Sequence, residues 1–190
     1  MTNRRTRAMI LVAILTAFSV IFMEFLQFPI IPAFPFLKVD LSIVPVIIGM
    51  YTVGFTAGAG VLLLRSVIHL FFAHDITTLI GLPMNIMAML IFIIGIYIFS
   101  KDSKKIVGKN FFIGSVVGVL SLTVIATILN VIYAMPLYSA LMNFTLPTSY
   151  IIQGVIPFNL IQGVILVLVS AVILFALRRT IEIEMVKYKR

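Results

Sequence analysis

The chain alternates between long apolar runs and short polar breaks, and this pattern is the first guide to its fold. The first run begins after three arginines and continues without a charge from residue 8 to residue 23. About 20 apolar residues span the hydrocarbon core of a bilayer as a helix, and we interpret this run as a retained helix, not a signal peptide, because similar runs follow. The runs predict one domain over residues 1–190 with six transmembrane helices, at residues 8–25, 41–55, 61–73, 81–99, 111–133 and 155–177.

The breaks between the runs differ in character. Three prolines between residues 29 and 35 disfavour a helix, so we predict a structured proline-rich loop between the first two helices. Three glycines between residues 54 and 60 predict a tight turn before the third helix. Residues 135–153 predict a second structured loop with a short helix, and Pro157 predicts a bend at the start of the last helix.

Composition indicates that lipid is the solvent for most of the chain. Of the 190 residues, 62% are hydrophobic and 11% are charged, with a mean hydropathy of +1.23. A net charge of +8 would suggest a nucleic-acid partner for a soluble protein. Here, however, all of the 14 basic residues except Lys38 and Arg65 lie at the two chain ends or between residues 101 and 109. We therefore expect a lipid bilayer as partner and no nucleic acid.

The basic segments also predict an orientation. With six spans, the amino end, the connector at 101–109 and the carboxyl end fall on one side, which the positive-inside tendency assigns to the cytoplasm. Both termini are then inside, and Glu24, Lys38, Asp40 and Asp75 face outward. The outer face carries both structured loops, as expected of a receptor for a molecule that arrives from outside.

Arg65 is the one basic residue inside an apolar run. A charge within the membrane is costly, by about 2.5 kcal/mol or more, unless the side chain finds a partner or reaches the interface. Because Arg65 follows the predicted glycine turn closely, we predict that its long side chain snorkels to the cytoplasmic headgroups.

The residue types of the chain argue against a metal site, nucleotide hydrolysis and enzymatic catalysis. The chain has no cysteine, and His69 and His74 alone are too few for a metal site. A G-x-x-x-x-G-K-[ST] loop is absent from the sequence, so the chain does not hydrolyse nucleotide itself. We expect no enzymatic activity, although an intramembrane enzyme acting through Ser66, His69 and Asp75 stays open as an alternative.

Uncharged amides are the clearest candidates for binding. Asn85, Asn130 and Asn159 all lie near the predicted outer ends of their helices, with Tyr133 and Gln162 one turn further on. An amide offers donors and acceptors together, which suits a neutral heterocycle or a polyol better than an ion. These residues could equally tie helices together across the bundle.

Four segments resemble a known family. They are Leu-Lys-Val-Asp-Leu-Ser-Ile-Val-Pro at 37–45, Gly-Leu-Pro-Met-Asn at 81–85, Asn-Val-Ile-Tyr-Ala-Met-Pro-Leu-Tyr at 130–138 and Pro-Phe-Asn-Leu-Ile-Gln-Gly at 157–163. In order and position they resemble the riboflavin-binding S components of energy-coupling factor (ECF) transporters. The resemblance implies a six-helix protein of the bacterial plasma membrane that captures riboflavin from outside with high affinity. It further implies a transmembrane coupling subunit and two cytoplasmic ATPase subunits as partners, and an S component for thiamin or folate is the nearest alternative.

The resemblance also implies a site. The proline-rich loop would cap the vitamin, which is cargo, so that no resident cofactor is expected. The family often has lysine where this chain has Gln162, which leaves FMN or a flavin analogue open as the ligand. The expected substrate-binding residues are Phe36, Leu37, Lys38, Asp40, Ser42, Asn85, Asn130, Tyr133, Asn159 and Gln162.

A second site is implied on the first helix. Members of the family carry small residues spaced A-x-x-x-A there for docking the coupling subunit, and Ala13 and Ala17 match this spacing. Alanines four residues apart share one helix face and allow another helix to approach closely. On spacing alone, packing within the bundle is an equal alternative.

Overall fold

The structure is a computed structural model that describes residues 4–72, 75–101, 103, 105–143 and 145–189. His74 and part of the basic connector at 101–109 lie outside the described residues. The helices of the described chain are α1 Arg4–Phe25, α2 Ile43–Thr52, α3 Phe55–His69, α4 Ile76–Ser100, α5 Lys109–Leu129, α6 Met135–Met142 and α7 Ile156–Lys189. A 3₁₀ turn at Leu70–Phe72 extends α3, and π-helical turns at Asn130–Ala134 and Ile151–Val155 precede α6 and α7.

The helical segments are those of a membrane protein. Within the described residues, five of them are long and apolar enough to cross a membrane: Arg4–Phe25, Phe55–Phe72, Ile76–Ser100, Lys109–Met142 and Ile151–Val186. The exception is α2, whose ten residues rise only about 15 Å, half the thickness of the hydrocarbon core. The all-α membrane architecture is confirmed, whereas the count of six spans and the inward position of both termini stay predictions.

The turn between α2 and α3 is shorter than the sequence predicts. The chain reverses at Gly54, whose φ of 136° is accessible mainly to glycine. Gly58 and Gly60 lie within α3, so the prediction of a turn across all three glycines was wrong. Gly58 serves packing instead, because a Cβ there would lie 2.8 Å from the Cβ of Met50 and 2.9 Å from the carbonyl oxygen of Val46.

The proline-rich loop is ordered and contains a small sheet. Strand β1, Gln27–Pro29, pairs antiparallel with β2, Lys38–Asp40, so that Gln27 lies opposite Asp40. The side chain of Val39 is fully buried. The loop therefore does not rest on the bundle from outside, because its second strand enters the bundle and leads directly into α2.

Helix α2 forms the buried centre of the bundle and contacts α1, α3, α4 and α7. Successive helical segments run in opposite directions, and α5 with α6 forms one of these segments, Lys109–Met142. At one end, the Tyr51 hydroxyl donates to Ser100 Oγ at 2.9 Å. At the other end, His69 pairs with Glu24. We call the second end the loop end, and the alternation places Asn85, Asn130 and Asn159 near it.

The second predicted loop is mostly helical. Helix α6 occupies 135–142 as expected, and Asn143 ends it in a left-handed conformation with φ 51°. The predicted irregularity at Pro157 appears as the π-helical turn Ile151–Val155 directly before α7. Proline lacks an N–H to donate, and a local change of helical pattern next to it is a common accommodation.

Glycines set the spacing between α4 and α5. A Cβ on Gly95 would lie 2.7 Å from the Cα of Gly118, and a Cβ on Gly118 would lie 2.7 Å from the carbonyl oxygen of Phe92. Such contact between backbones is typical of helix pairs in membranes, where close packing replaces the hydrophobic effect as the source of stability.

We predict that Gly118→Ala destabilises the bundle, because the added methyl group meets a rigid backbone carbonyl. The midpoint of thermal unfolding in detergent should fall by several degrees, since overpacking costs about 1–3 kcal/mol. Gly60→Ala is the matched control, because nothing lies within 4 Å of a Cβ at this helical position. Equal midpoints for the two variants would contradict the close packing of α4 and α5.

Candidate ligand-binding site

A cavity of about 380 Å³ opens at the loop end of the bundle. Its volume is within the range of small-molecule sites, which is about 300–1,000 Å³. The loop contributes one wall, the starts of α4 and α7 contribute others, and apolar residues such as Met89 and Phe158 line it as well. Of the predicted substrate-binding residues, those that line this cavity are Phe36, Leu37, Lys38, Asp40, Asn85, Asn130, Asn159 and Gln162.

Ser42 and Tyr133 do not line the cavity. Ser42 is fully buried behind it, where its backbone N–H donates to Asp40 Oδ1 at 2.9 Å and its hydroxyl donates to the same oxygen. Tyr133 lies on the π-helical turn, whose wider step separates side chains that would share a face in an α-helix. Ala134 faces the cavity in its place. Direct ligand contacts remain predictions for all of these residues.

Asp40 is held through one of its two carboxylate oxygens. Oδ1 accepts hydrogen bonds from Ser42 and from Arg65 Nη1, the latter at 3.4 Å. Among the described residues, no donor reaches Oδ2. Since Asp40 lines the cavity, this second oxygen is available to accept a hydrogen bond from a ligand hydroxyl.

Arg65 is completely buried, and the prediction that it snorkels to the cytoplasmic headgroups was wrong. Because α3 begins at Phe55, Arg65 lies about 15 Å along the helix from the Gly54 turn and near the loop end. There its guanidinium forms an ion pair with Asp40 and donates from Nη2 to Asn85 Oδ1 at 2.9 Å. The entry of β2 into the bundle supplies the carboxylate that a buried guanidinium needs.

The two other asparagines bind their own helices. Asn130 Nδ2 donates to the Ala126 carbonyl at 2.8 Å, and Asn159 Nδ2 donates to the Val155 carbonyl at 2.7 Å. Asn130 Oδ1 also accepts from the Tyr150 hydroxyl at 3.3 Å. Two of the three amides therefore link helical segments, through the Tyr150–Asn130 and Arg65–Asn85 hydrogen bonds, whereas in the described part of the chain Asn159 bonds only to its own helical segment. Gln162 is buried at the cavity wall with no hydrogen-bond partner among the described residues.

The wall also contains residues that were not among the predicted substrate-binding residues. His69, Asp75 and Tyr138 line the cavity as well. Asp75 caps the start of α4 by accepting from the Thr77 hydroxyl at 2.6 Å and from the Thr78 backbone N–H at 2.8 Å. These hydrogen bonds, that of Thr77 first, lower the pKa of Asp75 to about 2, so the carboxylate stays charged at neutral pH. The Asp-x-Thr-Thr spacing is a helix-start signal that could have placed α4 correctly.

Ser66, His69 and Asp75 do not form a hydrogen-bonded relay within the part of the chain that is described. The Ser66 hydroxyl donates to the Leu62 carbonyl of its own helix at 2.8 Å. His69 pairs with Glu24, and the Asp75 carboxylate accepts from the two threonines that follow it. Each side chain therefore already has a local partner.

Aromatic rings fasten the loop over the cavity. The ring of Tyr150 lies 5.1 Å from the ring of Phe34 and 5.9 Å from that of Phe36, measured between centroids. Aromatic pairs at such distances contribute about 0.5–1.5 kcal/mol each beyond their burial. A Cβ on Gly154 would lie 2.9 Å from the Phe34 ring, so the loop fits closely against the turn before α7.

Ala13 and Ala17 both lie on the exposed face of α1. They therefore do not pack inside the bundle, which removes that alternative for their spacing. An exposed strip of small side chains on a membrane helix permits another helix to approach. Docking of a partner at this strip stays a prediction.

An apolar helical bundle with a cavity at one end, lined by both polar and apolar side chains and walled in part by an ordered loop, defines a membrane-embedded substrate-binding protein. The family described as "ECF transporter, substrate-specific component" matches residues 7–174, and the chain belongs to it. It is a multi-pass membrane protein of the bacterial cell membrane. A solved structure described as the S component of a bacterial ECF transporter is similar, with a TM-score of 0.77 and 26% sequence identity over 93% of this chain and 98% of that chain.

Two curated relatives are more similar in sequence. The riboflavin transporter RibU of Streptococcus thermophilus is 42% identical over 91% of this chain and 82% of its own length. RibU of Lactococcus lactis subsp. cremoris is 36% identical over 92% of this chain and 95% of its own length. These findings confirm the family that the four sequence segments indicate.

We predict that Gly154→Leu releases the loop, because the larger side chain displaces the Phe34 ring from Tyr150. Trypsin should then cleave at the exposed Lys38 several times faster in the detergent-purified protein, since protease access follows local opening. The control is Ile152→Leu in the same turn, where the side chain is 72% exposed. Unchanged cleavage in Gly154→Leu would show that the aromatic contacts do not hold the loop.

Proposed function

We propose that the chain is the riboflavin-binding S component of an ECF-type transporter. It captures the vitamin from outside the cell, and separate ATPase subunits power the import. One observation carries the proposal: Asn85, Asn130 and Asn159, which come from three helices, line one cavity under an ordered loop. The chain that builds this cavity is 42% identical to a riboflavin transporter.

The chemistry of the cavity suits a flavin. Met89 and Phe158 offer apolar contacts to a flat ring, whose burial supplies most of the binding free energy. The carbonyls and the N–H at the edge of the ring match the amides of Asn85, Asn130 and Asn159. The ribityl hydroxyls match the open carboxylate oxygen of Asp40, with Ser42 supporting that carboxylate from behind.

The flavin in this proposal is cargo. The chain has no resident cofactor and leaves the flavin chemically unchanged, so it is not an enzyme. A transmembrane coupling subunit and two cytoplasmic ATPases complete the transporter, and release on the cytoplasmic side follows movement of the loaded subunit relative to them. Support for these partners comes from membership of the ECF family and from the exposed Ala13 and Ala17.

Titration of the ligand-free protein with riboflavin tests the assignment. Riboflavin is itself fluorescent, so its binding can be followed through the quenching of its own emission. We expect quenching at submicromolar riboflavin with one flavin per chain. Competition with FMN, thiamin and folate identifies the preferred ligand, and a protein that binds thiamin or folate but not riboflavin would contradict the proposal.

We predict that Asn130→Ala weakens riboflavin binding at least about tenfold, which corresponds to the loss of one buried hydrogen bond to the ligand. The variant should still fold, because the amide bonds mainly to its own helix. The matched control is Val131→Ala, whose side chain is 52% exposed on the outer surface of the same turn. A folded Asn130→Ala protein with the affinity of the parent would exclude Asn130 from the site.

We predict that Ala13→Leu combined with Ala17→Leu blocks assembly and leaves riboflavin binding intact. The larger side chains prevent close approach of a partner helix, and neither position lines the cavity. The measurements are co-purification of the coupling subunit and riboflavin titration of the isolated chain. Ala140→Leu, the same change at an exposed alanine of α6, is the control. Normal co-purification of the double variant would place the docking surface elsewhere.

A further inference from the structure

We propose that Arg65, which does not line the cavity, determines the hydrogen-bond polarity of the cavity wall, that is, whether the side chain of Asn85 offers a donor or an acceptor to the ligand. Its guanidinium turns the amide of Asn85 so that N–H donors face the ligand, whereas Asn130 and Asn159 present acceptors. Arg65 is thus a positioning residue for ligand selection. The inference deepens the proposed function and rests on it for the identity of the ligand.

The polarity of Asn85 follows from what a guanidinium can do. An arginine side chain only donates hydrogen bonds, so the atom of Asn85 that faces Arg65 Nη2 at 2.9 Å is the oxygen. Arg65 has no exposed surface and is also held by Asp40 and by Met23 Sδ at 3.5 Å, so it cannot turn away. The amide nitrogen of Asn85 then points away from Arg65, and its two hydrogens are left for the cavity that this residue lines.

The other two amides are fixed in the opposite sense. Backbone carbonyls only accept, so the contacts of Asn130 and Asn159 with the carbonyls of Ala126 and Val155 use the amide nitrogens. The Asn159 oxygen is then available to accept from a ligand, and the Asn130 oxygen, which already accepts from the Tyr150 hydroxyl at 3.3 Å, has a second lone pair for a ligand. One residue type therefore supplies a donor at one wall and acceptors at two others.

This arrangement selects a class of ligand edge. A heterocycle that carries a carbonyl oxygen beside a ring N–H presents an acceptor and a donor side by side, as the flavin ring does. Asn85 faces the acceptor, and Asn130 or Asn159 faces the donor. A ligand with these groups exchanged leaves buried polar atoms without partners, and such a mismatch discriminates strongly between similar molecules.

The same guanidinium couples the selection to the loop. Nη1 holds Asp40 at the end of β2 while Nη2 holds Asn85 on α4, and the planar fork fixes the two bonds relative to each other. Lysine at this position keeps the positive charge and can still neutralise Asp40. Its flexible ammonium does not fix the direction of a second hydrogen bond, the one to Asn85, so the amide of Asn85 gains rotational freedom.

The Asn85→Asp substitution tests whether residue 85 donates a hydrogen bond to the ligand or accepts one. The two cases predict different changes in riboflavin affinity. Aspartate has the shape of asparagine and pairs with Arg65, but it only accepts hydrogen bonds. We expect an apo protein that unfolds at the parent temperature or higher and binds riboflavin at least about tenfold more weakly. Binding as tight as that of the parent, or tighter, would mean that residue 85 accepts from the ligand, which overturns the proposal.

A double-mutant cycle between Arg65→Lys and Asn85→Ala tests the role of Arg65. If Arg65 acts through Asn85, each substitution weakens riboflavin binding by roughly tenfold alone, and the pair loses clearly less than the product of the two. Losses that multiply would assign Arg65 a role independent of Asn85 and overturn the proposal. The Asn85→Asp result keeps Arg65 intact, so it decides the polarity even if Arg65→Lys fails to fold.

Riboflavin binding by the protein and the positioning of Asn85 by Arg65 can be contradicted separately. A parent protein that ignores riboflavin contradicts the proposed function. The Arg65–Asn85 contact is then judged on the ligand-free protein, by thermal unfolding of the same four members of the cycle in detergent. Non-additive unfolding midpoints support the positioning contact, and additive ones overturn it.

Discussion

The buried ion pair between Arg65 and Asp40 is the interaction on which the rest of the structure depends. A guanidinium with no access to solvent is tolerated inside a membrane bundle only with a carboxylate beside it, and removal of one partner from a buried pair costs about 3–5 kcal/mol. The carboxylate arrives on β2, so the loop must enter the bundle. Helix α2 follows β2 after two residues; it is only ten residues long and is buried on most sides.

This constraint connects the lid, the cavity and the candidate chemistry. The loop is held from within by Asp40 and from above by the rings around Tyr150, and the cavity lies between these two attachments. The glycines of α4 and α5 bring those helices close, which positions Asn85 and Asn130 on neighbouring walls. A receptor that must close over its cargo and later release it needs a loop attached at a few such contacts, since each can be broken separately.

Much of the site could be found from sequence, because polar residues are costly in lipid and are therefore informative there. Asn85, Asn130 and Asn159 stood out as amides at helix ends, and the structure brings all three to one cavity. Arg65 was misinterpreted because its distance from the membrane surface depended on where α3 begins. Gly58 and Gly60 suggested a turn but lie inside α3, where Gly58 permits close packing, so they concealed the start of that helix. Tyr133 does not line the cavity, because it lies on a π-helical turn, and such a turn leaves no clear trace in the residue pattern.

The sequence by itself determined the class of the protein. Long apolar runs with basic flanks have few physical solutions other than membrane helices, since every backbone polar group must be satisfied without water. Four short segments also sufficed to indicate the family. Only the tertiary structure decided that Asp40 meets Arg65 and that Arg65 meets Asn85, because these partners are 25 and 20 residues apart and the outcome depends on helix lengths and crossings. Hydrogen-bond polarity at the cavity belongs to the tertiary structure for the same reason: an asparagine offers both donor and acceptor, and only its neighbours determine which one faces the ligand.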